Sequence, residues 1–190
     1  MIKAIIFDCF GVLITDVLQV LKNELAVYDV QGAAEIRGIV AAANLGIISR
    51  DESNVKVADI LGISVADYRA KISGGEARDD ALFSYIVELR KTYKTAMLSN
   101  ISVESLERRF TKAELDKYFD EVIVSGEVGF AKPSPEIYEI AADRLGLRCD
   151  ECVFVDDRDM FVEAARGVGM NAFVYTDFQA FRAQLSEILG

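Results

Sequence analysis

Three short apolar runs in this chain each end in polar residues, and helical segments lie between them. The runs and the residues that close them are 4–7 with Asp8, 95–98 with Ser99 and Asn100, and 152–155 with Asp156 and Asp157. Continuous apolar runs of this length are typical of strands that are buried on both faces. Strands that alternate with helices favour a parallel sheet covered by helices on both sides. We predict strands near 3–8, 95–99, 121–125, 152–156 and 171–175.

The segment from residue 16 to residue 80 shows helical periodicity only. Its apolar residues recur at spacings of three and four, which places them on one face of each helix. Glycines separate the periodic pieces at Gly32, Gly46, Gly62 and Gly74-Gly75, and we expect helix breaks at these positions. The chain is therefore predicted to have an α/β core formed by 1–15 and 81–190, with a helical insertion over 16–80 after the first strand.

Composition excludes several kinds of chemistry and partner. The chain contains no histidine, which removes imidazole-based nucleophile systems and His-ligated zinc. The net charge of −10 repels nucleic acid and anionic lipid. No apolar stretch approaches the roughly 20 residues of a membrane span, so we expect a cytoplasmic protein. Cys149 and Cys152 form a single C-x-x-C pair, which lacks the further ligands that zinc needs and is interpreted as structural.

The carboxylates at the strand ends are candidates for catalysis and metal binding. Asp8 closes the first apolar run, and Asp156 and Asp157 close a later one. The carboxyl ends of parallel strands lie at one edge of a sheet, where ligands bind in open α/β folds. A carboxylate there can act as a nucleophile, and paired carboxylates are the hard oxygen ligands that Mg²⁺ prefers. We predict that Asp8 is the nucleophile and that these three residues hold the ion.

A hydroxyl, an amide and an ammonium complete the set. Ser99 and Asn100 follow the second apolar run, and Lys132 lies in a loop directly before a helix. Ser134 and Pro135 are typical N-cap and first-turn residues, so the positive end of that helix is expected near the lysine. Nucleophile, hydrogen-bond donors, cation and metal ligands are together the groups that phosphoryl transfer requires. A small anionic substrate is therefore the expected ligand.

In order and spacing, these segments resemble the four signature segments of the haloacid dehalogenase-like (HAD) hydrolase superfamily. The matching residues are Asp8 in the first, Ser99-Asn100 in the second, Lys132-Pro133 in the third and Asp156-Asp157 in the fourth. The resemblance covers the first 15 residues and most of 85–175, whereas 16–80 resembles only the general pattern of a small helical cap domain. It implies a three-layer Rossmann-like core and a Mg²⁺-dependent phosphatase acting on a small phosphorylated metabolite.

The resemblance also implies a role for each residue of the site. Asp8 would form an aspartyl-phosphate, and Lys132 would pair with both the phosphate and Asp8. Ser99 and the backbone N–H of Asn100 would bind phosphoryl oxygens. The implied ligands of Mg²⁺ are Asp8, the backbone carbonyl of Phe10, Asp156 and Asp157.

Two positions depart from the family pattern. Phe10 stands where phosphatase members carry a second Asp that acts as general acid and base, and Phe161 stands where the fourth segment usually has Asn or Asp. General acid catalysis typically contributes about 10² to 10⁴ in rate. We therefore expect weakened phosphatase activity, with a catalytically inactive binding or regulatory protein as the alternative. A 2-haloacid dehalogenase, which has an aromatic residue at the position of Phe10 but lacks the acidic pair, is ranked lower. Substrate identity and oligomeric state stay open.

Overall fold

The computed structural model describes residues 1–190 and contains one five-stranded sheet. All neighbouring strands are parallel, and their order is β3-β2-β1-β4-β5. The predicted α/β class is confirmed, and each strand end differs from the prediction by at most one residue. The strands are β1 (Ala4–Phe7), β2 (Lys94–Ser99), β3 (Glu121–Val124), β4 (Cys152–Asp156) and β5 (Asn171–Val174).

Eleven α-helices connect or follow these strands. The first four form a continuous helical segment after β1, and the others alternate with the remaining strands. A 3-10 turn, Cys149–Glu151, precedes β4. The helices are α1 (Val17–Ala26), α2 (Val30–Asn44), α3 (Arg50–Ile60), α4 (Val65–Gly75), α5 (Asp80–Leu89), α6 (Val103–Glu107), α7 (Lys112–Tyr118), α8 (Ser125–Val128), α9 (Pro135–Arg144), α10 (Asp159–Gly167) and α11 (Phe178–Leu189).

The central strand β1 supplies side chains to two separate hydrophobic cores. Successive side chains of a strand point to opposite faces of the sheet. Ile5 and Phe7 accordingly pack with residues of α5 and α11, whereas Ala4 and Ile6 pack with residues of α9 and α10. Helices therefore cover both faces of the sheet, and this explains why β1 is apolar at every position.

The chain divides into two compact units. One comprises Met1–Ile14 and Asp79–Gly190 and contains the whole sheet. The other comprises Thr15–Arg78 and consists of α1 to α4 around a small core of its own. That core includes Leu25, Ile36 and Val57, which come from three different helices.

Two local expectations from the sequence are wrong. Gly32 does not break a helix but lies in the first turn of α2, where its N–H donates to the capping side chain of Asp29 at 2.8 Å. The absence of a side chain fits that tight contact, since a Cβ at Gly32 would lie 2.2 Å from Asp29 Oδ2. The sequence also predicts that the last helix starts with Thr176 and Gln179 in a capping-box arrangement. The helix is capped instead by Asp177, whose carboxylate accepts from the backbone N–H groups of both Gln179 and Ala180. None of the helices is both long enough and apolar enough to cross a membrane.

Candidate active site

The register of the sheet brings the candidate nucleophile beside the candidate metal ligands. Phe7 pairs with Val155 across β1 and β4, and the N–H of Asp8 donates to the carbonyl of Val155 at 2.9 Å. Asp8 and Asp156 therefore lie at neighbouring strand ends. The sheet order reverses direction between these two strands, and such a switch point forms the crevice in which open α/β sheets bind ligands.

Lys132 lies between the two carboxylates. Its Nζ is 2.8 Å from Asp8 Oδ1 and 2.5 Å from Asp156 Oδ2, and its side chain is fully buried. Burial alone would lower the pKa of Lys132, but the charges of Asp156 and Asp8 outweigh that effect and hold the pKa above its usual range. The lysine is therefore a buried permanent cation.

Burial has the opposite consequence for the carboxyl group of Asp8. Desolvation raises the pKa of Asp8 to about 7, with the charge of Asp156 adding to the rise and Lys132 opposing it. Two carboxylates share one ammonium here, so the site has excess negative charge. A second cation close to Asp8 would relieve this excess and favour the ionised form that a nucleophile needs.

The loop that carries Lys132 is held to the end of β2 by Asn100. The Nδ2 of Asn100 donates to the Lys132 carbonyl at 2.8 Å, and the backbone N–H of Lys132 donates to Asn100 Oδ1 at 2.8 Å. The sequence singled out the backbone N–H of Asn100, but it carried no signal for this role of the side chain. Ser99 is the last residue of β2 and is buried at the same strand end.

Two aromatic rings enclose the ammonium on its apolar side. The Nζ of Lys132 lies 5.2 Å from the ring centroid of Phe154 and 5.1 Å from that of Phe161. The carbonyl of Phe161 accepts a hydrogen bond from the buried Tyr138 hydroxyl at 2.9 Å. Phe161, which departs from the family pattern, thus contributes a wall that keeps water from the ion pairs.

The carboxylates of Asp8, Asp156 and Asp157 form a cluster suited to a divalent cation. One oxygen from each lies within 4.8 Å of the others. Asp156 is completely buried, and its second oxygen accepts from the backbone N–H of Arg158 at 3.0 Å. Three hard oxygen donors with excess negative charge fit Mg²⁺. All three carboxylates are therefore candidates for direct ligands.

Phe10, two residues after Asp8, has a partly buried side chain. The guanidinium of Arg109 lies over its ring, with Cζ 4.8 Å from the centroid, and donates to the carbonyl and hydroxyl of Ser105 at 2.9 and 2.8 Å. No sequence pattern indicates Arg109, because its contact with Phe10 arises only through the packing of the segment after β2. The structure thus brings Asp8, Lys132, Asp156 and Asp157 together. Two residues after Asp8, the ring of Phe10 packs against the guanidinium of Arg109.

Comparison with known proteins assigns the family. Residues 2–169 match the family described as haloacid dehalogenase-like hydrolase. The chain therefore belongs to the haloacid dehalogenase-like hydrolase family, and the resemblance seen in its sequence is confirmed.

Individual relatives agree with this assignment. D-ribitol-5-phosphate phosphatase of Bacteroides thetaiotaomicron is 28% identical over 206 residues, which cover 100% of both chains. Bifunctional epoxide hydrolase 2 of Sus scrofa is 31% identical over 105 residues, which are 53% of this chain but only 19% of that protein. Among solved structures, a HAD family enzyme of Bacteroides thetaiotaomicron in complex with magnesium and inorganic phosphate superposes with a TM-score of 0.74 at 20% identity. That match covers 95% of this chain and 99% of the other, and at this identity it shows a shared fold.

Proposed function

We propose that this protein is a Mg²⁺-dependent phosphatase that acts on a small phosphorylated metabolite through an aspartyl-phosphate on Asp8. The observation that carries the proposal is the buried Lys132 between Asp8 and Asp156, with Asp157 completing a cluster of three carboxylates. Family membership and the full-length likeness to D-ribitol-5-phosphate phosphatase support it. The magnesium and phosphate of the similar solved structure point to the same chemistry.

In the first half of the reaction, an oxygen of Asp8 forms a bond to phosphorus and the bond to the leaving group breaks. Lys132 neutralises negative charge on Asp8 and on the phosphoryl group, while Ser99 and the backbone N–H of Asn100 donate to phosphoryl oxygens. In the second half, water hydrolyses the aspartyl-phosphate and releases phosphate. We further assign substrate selection to the helical unit of residues 15–78, as the resemblance to a small cap implies.

Magnesium would be held by Asp8, Asp156, Asp157 and the backbone carbonyl of Phe10, and Asp156 would also orient Lys132. When bound, the ion supplies positive charge that offsets the developing negative charge of the phosphoryl group. Its positive charge would also oppose the burial and the charge of Asp156, which raise the pKa of Asp8 to about 7, and so would favour the ionised nucleophile at neutral pH.

Phe10 restricts the substrates that this site can turn over. A phenylalanine can neither protonate a leaving group nor deprotonate water, so both half-reactions lose a proton-transfer group. Acyl and aryl phosphates, whose leaving groups depart without protonation, should react faster than alkyl phosphates. The same residue favours a second candidate function, a protein that binds a phosphorylated ligand through the intact charged groups without turning it over.

A phosphate-release screen over sugar phosphates, nucleotides, acyl phosphates and aryl phosphates, with and without MgCl₂, tests the proposal. We expect release that requires Mg²⁺ and disappears in Asp8→Asn. Asp159→Asn is the matched control, because it neutralises an exposed aspartate just beyond the acidic pair. Release that survives Asp8→Asn would exclude the covalent route. Halide release from a 2-chlorocarboxylic acid without metal would instead support the dehalogenase alternative.

A further inference from the structure

The main chain at Gly11 lies directly against the carboxyl group of Asp157. A methyl group on the Gly11 Cα would lie 2.4 Å from Asp157 Cγ, 2.4 Å from Oδ2 and 2.9 Å from Oδ1. Real Cβ atoms essentially never approach a heavy atom within 3.0 Å. The three nearest atoms all belong to this one carboxyl group. Any side chain at position 11 therefore occupies the space that the Asp157 carboxylate fills.

The turn that contains Gly11 has little freedom to withdraw from this contact. Its N–H donates to the carbonyl of Ile14 at 2.7 Å, and the N–H groups of Leu13 and Ile14 both donate to the carbonyl of Cys9, at 2.8 and 2.9 Å. Cys9, Leu13 and Ile14 are buried in the core. The Asp157 carboxylate, in contrast, is the end of a side chain. Crowding between the two is therefore relieved by movement of Asp157.

We propose that Gly11 is a positioning residue of the metal site: its lack of a side chain leaves the space that keeps the Asp157 carboxylate beside those of Asp8 and Asp156. This inference rests on the proposed function, in which Asp157 is a ligand of Mg²⁺. A methyl group at position 11 displaces one carboxylate of the cluster and leaves the other two in place. Loss of a residue that orients a metal ligand typically weakens metal binding by about 10- to 100-fold, and we expect Gly11→Ala to fall in that range.

Backbone strain must be separated from crowding, because Gly11 has a φ of +91°, which glycine adopts far more readily than alanine. Gly169 offers a matched control in the same unit, with a φ of +89° and no atom within 4 Å of its added Cβ. Gly169→Ala imposes the same conformational cost without crowding a carboxylate. It should lower the melting temperature but leave the affinity for Mg²⁺ unchanged.

The test is titration of MgCl₂ into the full chain by calorimetry, for wild type, Gly11→Ala, Asp157→Ala, the double variant and Gly169→Ala. If Gly11 acts through Asp157, the double variant binds Mg²⁺ no more weakly than Asp157→Ala alone. Removing the Asp157 side chain also removes the crowding. The added loss of melting temperature from Gly11→Ala in that background should therefore match the loss in Gly169→Ala.

The other possible results also decide the inference. Gly11→Ala with wild-type affinity shows that the contact does not hold the ligand, and equal weakening in Gly169→Ala shows that strain alone is responsible. If Gly11→Ala fails to fold, folding of the double variant supports the steric origin, whereas failure of both places the requirement in the backbone and refutes the proposal. A wild-type protein that binds no Mg²⁺ overturns the metal site itself. If the wild type binds Mg²⁺ and Gly11→Ala binds it equally well, only the role of Gly11 is overturned.

Discussion

Replacement of Lys132 by methionine tests the arrangement at the centre of the site. The variant keeps most of the side-chain volume but removes the ammonium that lies 2.8 Å from Asp8 and 2.5 Å from Asp156. Both carboxylates are buried, so water cannot replace the lost interaction of either one with the ammonium. Removing one partner of a buried ion pair typically costs about 3–5 kcal/mol. For a protein of this size, a loss of 1 kcal/mol lowers the melting temperature by about 2–4 °C, which gives an expected decrease of about 6–20 °C.

The assay is thermal unfolding of the metal-free protein, with Lys91→Met as the matched control. Lys91 also pairs with a carboxylate, Glu88, but its side chain is 65% exposed, and pairs of this kind contribute about 1 kcal/mol or less. Added Mg²⁺ should raise the melting temperature of Lys132→Met more than that of wild type, because it supplies the missing positive charge. If Lys132→Met unfolds within a degree or two of Lys91→Met, the buried lysine does not stabilise the site and the reasoning fails.

Three further expectations concern the remaining groups. Phe10→Asp should raise the rate of alkyl phosphate hydrolysis by part of the roughly 10²- to 10⁴-fold that general acid catalysis contributes. Phe10→Ala should not raise it. Steady-state rates with Mg²⁺ that increase equally in both variants would indicate better access of the substrate to the site instead. Asp157→Asn should weaken Mg²⁺ binding in calorimetry. Because it removes like-charge repulsion, it should not lower the melting temperature of the metal-free protein. If a variant with both Asp8 and Asp157 neutralised binds Mg²⁺ with wild-type affinity, the metal site is assigned to the wrong residues. Burial works against the ionised form of Asp120, but hydrogen bonds from Arg90 and a backbone N–H hold its pKa below the usual range. Its charge therefore stabilises the fold above the unfolded-state pKa of about 3.9 and ceases to do so as the pH falls through the folded-state value. Asp120→Asn should lower the unfolding free energy by under about 1 kcal/mol at pH 7, and a difference from wild type that does not shrink as the pH falls through the folded-state pKa of Asp120 would contradict this assignment.

Much of the core fold was predictable because its signals are local. Strands β1, β2 and β4 correspond to short apolar runs that end at polar residues, and this pattern depends only on neighbours along the chain. A parallel sheet then requires the ends of these strands to meet at one edge, so Asp8 and Asp156 were expected together before any contact was known. The exact residue that caps a helix was less predictable, because Thr176 and Asp177 are both good capping residues and only the backbone geometry selects between them.

The sequence by itself determined which chemical groups this protein can use: carboxylates, one well-placed lysine and no histidine, on an alternating α/β chain. Only the tertiary structure decided how those groups constrain one another. Asn100 holds the Lys132 backbone from 32 residues away, and Gly11 meets Asp157 across the ends of β1 and β4. No periodicity along the chain encodes such contacts. They follow from the register of the parallel strands, which is set when the two hydrophobic cores pack, and from the size of the side chain that the sequence places at each point of contact.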